Sequence, residues 1–306
     1  MSQKEIIKAL ENLRKDLQTL QVDFLSFKEK REKFSELKGV LRRRELDLFR
    51  QNPAQLLCFP PGFSPAEKGR FYELFKKYSF RLFLREILLR KGIFRISEVV
   101  RFSTPDTGRK YLQDLMELGL AEALGDSQYR LCYPPPPSLG PTLEWFMAEV
   151  LRREFSCPAL YGLRCRGGRY GGDYDVVALL EGSLLYLEVK SSPPKNIEGD
   201  EVHAFLTRLK DLIPHLAIFF VDTELRLKDK IVPFFETELF ALGLRDNGNP
   251  IGIQKIGDEI FFAPPRVYIL GSRRSIVKNL GICFHHHFAY PHPFSAGWGF
   301  DEPGKG

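Results

Sequence analysis

Ile6, Leu10, Leu13, Leu17, Leu20, Phe24 and Phe27 alternate spacings of four and three, the a/d seam of a heptad repeat. The seam predicts a coiled coil over 1–38. A homodimer is the favoured pairing because nothing internal supplies a matching heptad; a hairpin with a helix near Leu37 to Phe49 is the other. Residues 39–72 read as a helical linker. Phe80 to Leu89 and Ile96 to Phe102 then read as helices, and Ser103-Thr104-Pro105-Asp106 as the cap of a third bearing Tyr111, Leu112, Leu115 and Leu118. Leu120 to Leu124 and Gln128 to Cys132 alternate as strands around Gly125-Asp126, and Pro134 to Pro137 form a stiff spacer. From Pro141, the spacing of Leu143, Phe146, Met147, Val150, Leu151 and Phe155 predicts an amphipathic helix. Tyr174 to Leu180 and Leu184 to Lys190 follow as two β-prone runs. A helix over Val202, Phe205, Leu206, Leu209, Leu212 and Ile213 stops at Pro214, and Leu216 to Val221 is a continuous apolar strand. Strand, helix, strand implies a right-handed crossover and a parallel pair, so 141–282 is expected to be an α/β domain in αβα layers with a mixed sheet. The strand-like Val267 to Leu270 extends it.

The two runs at 174–190 carry the chemistry. Side chains alternate faces, so Asp173, Asp175, Val177 and Leu179 share one face, and Leu184, Tyr186, Glu188 and Lys190 share one face of the partner strand. A turn at Gly182-Ser183 would pair Glu181 with Leu184, setting Asp175 opposite Lys190 and diagonal to Glu188. Two carboxylates and an ammonium are costly to bury without a purpose. A hard divalent cation supplies one, because carboxylates on neighbouring strands can share Mg²⁺. Glu144 falls on the margin of its helix's apolar stripe, an odd place for a solvated carboxylate.

These residues resemble the PD-(D/E)xK nuclease superfamily, whose fold is the restriction-endonuclease-like one. Asp175 matches the motif aspartate, Glu188 the acidic position and Lys190 the lysine; Tyr174 stands where the proline that names the motif would be. The resemblance covers 141–222. It implies that Asp175 and Glu188, with the Val189 carbonyl, hold Mg²⁺, for which Mn²⁺ can substitute. Lys190 would orient or help deprotonate the attacking water, Glu144 would add a metal or water contact, and cleavage would leave a 5′-phosphate and a 3′-hydroxyl. Asp173 reads as the residue that opens the strand, with a second metal ligand as the alternative.

Upstream, three helices and a β-hairpin over 73–133 resemble the winged helix, with the third helix in the recognition position. Thr107, Arg109, Lys110 and Gln113 would then face phosphates and base edges. Arg164, Arg166 and Arg169 flank a glycine-rich stretch, Gly167 to Gly172, that either lets a phosphate backbone approach or merely connects two strands. Arg42-Arg43-Arg44 reads as a solvated helix face. Cys283, His285, His286, His287 and His292 superficially suggest zinc, but three consecutive histidines cannot all meet one tetrahedral ion. Residues 283–306 therefore read as a helix end and a flexible tail.

Composition admits this reading. The chain has 306 residues, 43% of them hydrophobic, enough for two domains and an extension. Lys and Arg number 45 against 39 Asp and Glu, a net charge of +6 that suits a polyanion, DNA being the favoured nucleic acid. Five cysteines without a CxxC pair, no signal peptide and no membrane-length apolar run point to reduced thiols, the cytoplasm and no membrane. The competing expectations are a winged-helix DNA-binding regulator or scaffold whose nuclease fold is catalytically silent, and an adaptor built on the coiled coil.

Overall fold

The computed structural model describes residues 34–51, 54–90, 92–134, 136–246 and 249–289. The heptad seam and the end of the tail, including His292, lie outside the described residues. The protein is mixed α/β, built on an eight-stranded mixed sheet. Its strands are β1 (Asp47–Gln51), β5 (Ala159–Arg166), β6 (Asp173–Leu180), β7 (Ser183–Lys190), β8 (Leu216–Val221), β11 (Gln254–Gly257), β12 (Ile260–Ala263) and β13 (Val267–Gly271). They lie in the order β1-β5-β6-β7-β8-β13-β12-β11, while β9 (Arg245–Asp246) and β10 (Asn249–Pro250) form a separate two-stranded ribbon. The β7–β8 and β8–β13 pairs are parallel, as the crossover rule required, and the rest are antiparallel. Every residue of β8 is buried, which explains its unbroken apolar run: a strand with parallel neighbours and helices on both faces has no polar side.

Helices cover the two faces. α6 (Gly140–Glu154) packs with Val176, Ala178, Leu185, Leu187, Ile218 and Phe220 on one face. α7 (Gly199–Leu212) and α8 (Ile231–Ala241) pack with Val177, Leu179, Leu184, Tyr186, Ala217 and Phe219 on the other. α7 ends where Ile213 turns left-handed (φ 43°) just before Pro214.

The upstream unit contains α2 (Pro65–Phe75), α3 (Tyr78–Arg90), β2 (Ile93–Arg95), α4 (Ile96–Val99), α5 (Pro105–Glu117), β3 (Ala121–Gly125) and β4 (Gln128–Leu131). The three strands form a small sheet in the order β2-β4-β3. Thr104 caps α5 through its hydroxyl, with Pro105 in the first turn, as the cap sequence predicted. β2 was not legible in the sequence, being three residues long.

Several expected boundaries change. Residues 34–42 are helical (α1), but the expected helix to Phe49 ends early: Glu45 turns left-handed (φ 61°) and β1 follows, pairing with β5 at the edge of the main sheet. The stretch read as a helical linker thus supplies part of the core, with Val40, Leu41 and Leu46 buried. The proline-rich stretch does not separate two bodies either, because the upstream unit shares one continuous core with α6. Tyr72 and Phe75 meet Phe146 at ring-centre distances of 5.4 and 5.1 Å, and Phe71 meets Trp145 at 5.9 Å. α9 (Ile276–Ala289) runs through Cys283, which is fully buried, and His285 to His287, so the chain is ordered beyond the expected start of the tail.

Candidate functional site

The β6–β7 hairpin turns at Glu181-Gly182, both with positive φ (49° and 76°), the requirement of a type I′ turn. The expected turn lay one residue later. Ser183 instead joins β7 and pairs with Leu180, and the ladder continues to Val176 opposite Leu187. The pairing therefore differs from the expected one by two residues. The ladder stops one residue short of Asp175 and Glu188, whose carboxyls nonetheless lie close enough for the Glu188 charge to act on Asp175. Strict alternation breaks there: Tyr174 packs with Val177 and Tyr186 while Val176 packs on the other face, so Asp173 does not share the face of Val177 as expected.

Asp175 is partly buried, and its Oδ2 accepts the Val189 N–H at 2.7 Å. In an antiparallel ladder one residue's N–H and C=O point to the same neighbour, so the Val189 carbonyl lies on the Asp175 side. Burial, reinforced by the Glu188 charge, pushes the Asp175 carboxyl up to about 8. Glu188 is only 3% exposed. Its Oε1 takes Lys190 Nζ at 3.0 Å and an Arg208 N–H at 3.1 Å; its Oε2 takes the same Arg208 nitrogen at 2.9 Å and the Tyr186 hydroxyl. Burial, then the Glu188 charge, raise the Tyr186 phenol well above its ordinary value, so it remains a donor. Lys190 also reaches Glu201 Oε2 at 2.7 Å. Burial alone would lower the Lys190 ammonium, but Glu188 and Glu201 outweigh it and raise its pKa. A lysine held as a cation is suited to stabilising negative charge, not to taking a proton from water.

Glu144 stands elsewhere. It projects, half-buried, from α6 on the opposite face of the sheet from Glu188 and Lys190, where its charge bears on Tyr161 of β5. Asp173 opens β6 and pairs with Arg164 at 3.1 Å, as a surface residue does. Arg164 lies across the β1–β5 pairing from Arg50, and Arg166 sits over the Phe49 ring at 4.7 Å. Like charges directly opposite one another disfavour a strand pair, and Asp173 offsets this one by pairing with Arg164. The glycine stretch proves to be a tight connection. The Asp211 carboxylate accepts the Arg169 and Tyr170 N–H groups at 3.1 and 2.9 Å, so the loop's anion-binding backbone already holds an internal anion. A Cβ at Gly172 would overlap the Cys165 carbonyl, which explains that glycine.

On α5, Arg109, Lys110 and Gln113 are exposed and Thr107 is half-buried against Thr104. Acidic neighbours balance them: Arg109 pairs with Asp106, Gln113 bonds Glu117, and Arg70 engages Asp114 and Glu117. The sequence reading missed Tyr186 as a donor, Glu201 and Arg208. The signal was present, since Glu201, Phe205, Arg208 and Leu212 form one i, i+4, i+7, i+11 row that sets two charges along the apolar stripe of α7.

Among the described residues no three His, Cys, Asp or Glu side chains gather as a metal cluster, and none of the tail histidines joins one. The oxygen-only set of Asp175, Glu188 and the Val189 carbonyl nonetheless fits Mg²⁺, which keeps several waters and takes one or two carboxylates.

The raised Asp175 pKa has a measurable consequence. A carboxyl titrating near 8 when folded but near 4 when unfolded favours the folded state fully at low pH, and that contribution is lost as pH rises from about 4 to 8. Asp175→Asn keeps the acceptor for Val189 without the charge. In EDTA it is expected to raise Tm by several degrees at pH 8 and to differ little from wild type at pH 4. Equal melting at pH 8 would contradict the assigned shift.

Neither a protein-family model nor a curated protein matches the chain. Among solved structures it is similar to protein VC1899 from Vibrio cholerae, with 16% identity and a TM-score of 0.46, over 83% of this chain and 61% of that one. It is also similar to Can2 from Sulfobacillus thermosulfidooxidans in complex with cyclic tetra-adenylate, with 12% identity and a TM-score of 0.39, over 60% of this chain and 50% of that one. The aligned part thus spans about three fifths of the first and half of the second. No helix among the described residues is long and apolar enough to cross a membrane.

Proposed function

We propose that this chain is a metal-dependent endonuclease that hydrolyses phosphodiester bonds of nucleic acid, DNA in the first instance. The observation that carries the reading is the β6–β7 hairpin, whose register sets the Asp175 carboxyl beside Glu188 and Lys190. The order α6, β5, β6, β7, α7, β8 supports a restriction-endonuclease-like core of the PD-(D/E)xK type. Asp175, Glu188 and the Val189 carbonyl would hold Mg²⁺ or Mn²⁺. When bound, such an ion supplies a polarised phosphoryl oxygen and a more acidic water. Lys190, fixed between Glu188 and Glu201, places its ammonium against the charge that develops on the phosphoryl group. Glu144, behind the sheet, supports α6 in this reading and takes no part in the reaction.

Substrate would lie along Arg50, Arg164, Arg166 and Arg169. The α2–β4 unit has the element order of a winged helix, and Thr107, Arg109, Lys110 and Gln113 of α5 are its candidate nucleic-acid contacts. The heptad seam at 1–38 would pair two chains.

A second reading is a DNA-binding protein with a silent site. It is favoured by Glu188, whose oxygens are fully engaged by protein donors. The full chain incubated with single-stranded, duplex and branched DNA in Mg²⁺, Mn²⁺ or EDTA separates the two. Metal-dependent products bearing 5′-phosphates are expected. Salt-sensitive retention without products would leave the second reading.

A further inference from the structure

Glu188 has its acceptor capacity filled. A carboxylate offers about four lone-pair positions, and three donor atoms make four contacts with them: Lys190 on Oε1, one Arg208 nitrogen shared between Oε1 and Oε2, and Tyr186 on Oε2. A cation can reach Glu188 only if one donor leaves. Tyr186 is fully buried on the same strand, among the rings of Tyr174 and Phe205. Lys190 has a second carboxylate in Glu201. Arg208 differs from both. Its side chain is 21% exposed, it comes from α7 rather than the strand, and among the described residues its one ion pair is with Glu188.

We propose that Arg208 is the exchangeable partner of Glu188: it holds the carboxylate in the metal-free protein and, once displaced, becomes the guanidinium that binds the scissile phosphodiester. The inference rests on the nuclease reading and names a substrate-binding residue within it. Charge supports the exchange. Lys190 and Arg208 match Glu188 and Glu201, so a dication taken up by Asp175 and Glu188 leaves the guanidinium without its counter-charge. A phosphodiester supplies one, and the planar fork of arginine, of which a single nitrogen now serves Glu188, fits two phosphate oxygens. The loop carrying Gly171 passes over the guanidinium, where a Cβ would lie 3.9 Å from Nε, and Asp211, one turn further along α7, anchors that loop.

The test combines Mn²⁺ titration of the full chain, read by electron paramagnetic resonance, with cleavage kinetics on duplex DNA. Arg208→Gln removes the competitor for Glu188 and is expected to bind Mn²⁺ about tenfold more tightly, the worth of a charge-assisted hydrogen bond. At saturating Mn²⁺ the same variant is expected to show a raised KM for DNA. Arg208→Lys keeps the charge but not the fork, so its Mn²⁺ affinity should stay near wild type while KM rises. It also covers the case in which the glutamine variant does not fold. Wild type that binds no Mn²⁺ overturns the nuclease reading and this inference together. Wild type that binds and cuts, beside variants with unchanged or weaker Mn²⁺ affinity or an unchanged KM, overturns the inference alone.

Discussion

Alanine at Lys190 is expected to lower Mg²⁺-dependent cleavage about a hundredfold to a thousandfold, the usual effect of removing one preorganised charge from a phosphoryl- or acyl-transfer site. Retention of the same DNA in EDTA should be nearly unchanged. The asymmetry follows from where the ammonium sits. The Lys190 side chain is 17% exposed and its Nζ is bound to Glu188 and Glu201, so it is poorly placed to contribute to the long-range attraction that retains DNA. Its raised pKa keeps it charged through the neutral range. Equal cutting by wild type and the alanine variant, in gel assays under single turnover, would remove Lys190 from the mechanism.

Asp222→Ala is expected to destabilise the folded chain by about 3–5 kcal/mol, the penalty for stripping the partner from a buried charge. Asp222 follows β8, is 1% exposed, and receives Arg81 at 2.8 and 3.0 Å, Arg85 at 3.5 Å and the Ser272 hydroxyl. Arg81 is itself fully buried, and its remaining donors hold the Phe75 and Lys76 carbonyls at the end of α2. This network ties the upstream helices to the main sheet, and the Asp222 N–H bonds the Lys190 carbonyl at 2.8 Å. A fall in Tm of about 10 °C is the corresponding signal. Ser272→Ala, which removes one of several donors, should cost only about 1 kcal/mol. A drop for Asp222→Ala no larger than for Ser272→Ala, by calorimetry, would show that the network does not join the two units.

Local pattern carried much of this molecule. The apolar stripes of α6 and α7, the cap of α5 and the unbroken run of β8 follow from spacing alone, as does the shared face of Asp175, Glu188 and Lys190. Long-range pairing did not. β1 finds its partner in β5, more than a hundred positions away, and nothing within 46–51 distinguishes an edge strand from the end of a helix. Arg81 reads as one more polar residue on α3 because the carboxylate that justifies its burial lies 141 positions on. The hairpin register failed by two residues because Gly182 fits either position of a two-residue turn. Only the left-handed conformation of Glu181 decides which. Glu144 shows a related limit: a helical wheel gives its angle to the apolar stripe, not which face of the sheet that stripe will cover.

The central claim is that Asp175 and Glu188 together hold the metal. It is tested most directly by Mn²⁺ occupancy of the full chain, read by electron paramagnetic resonance at pH 8, for wild type, Asp175→Asn and Glu188→Gln. One site per chain in wild type, lost in both variants, is the predicted result. Retention of that site in either variant would contradict it.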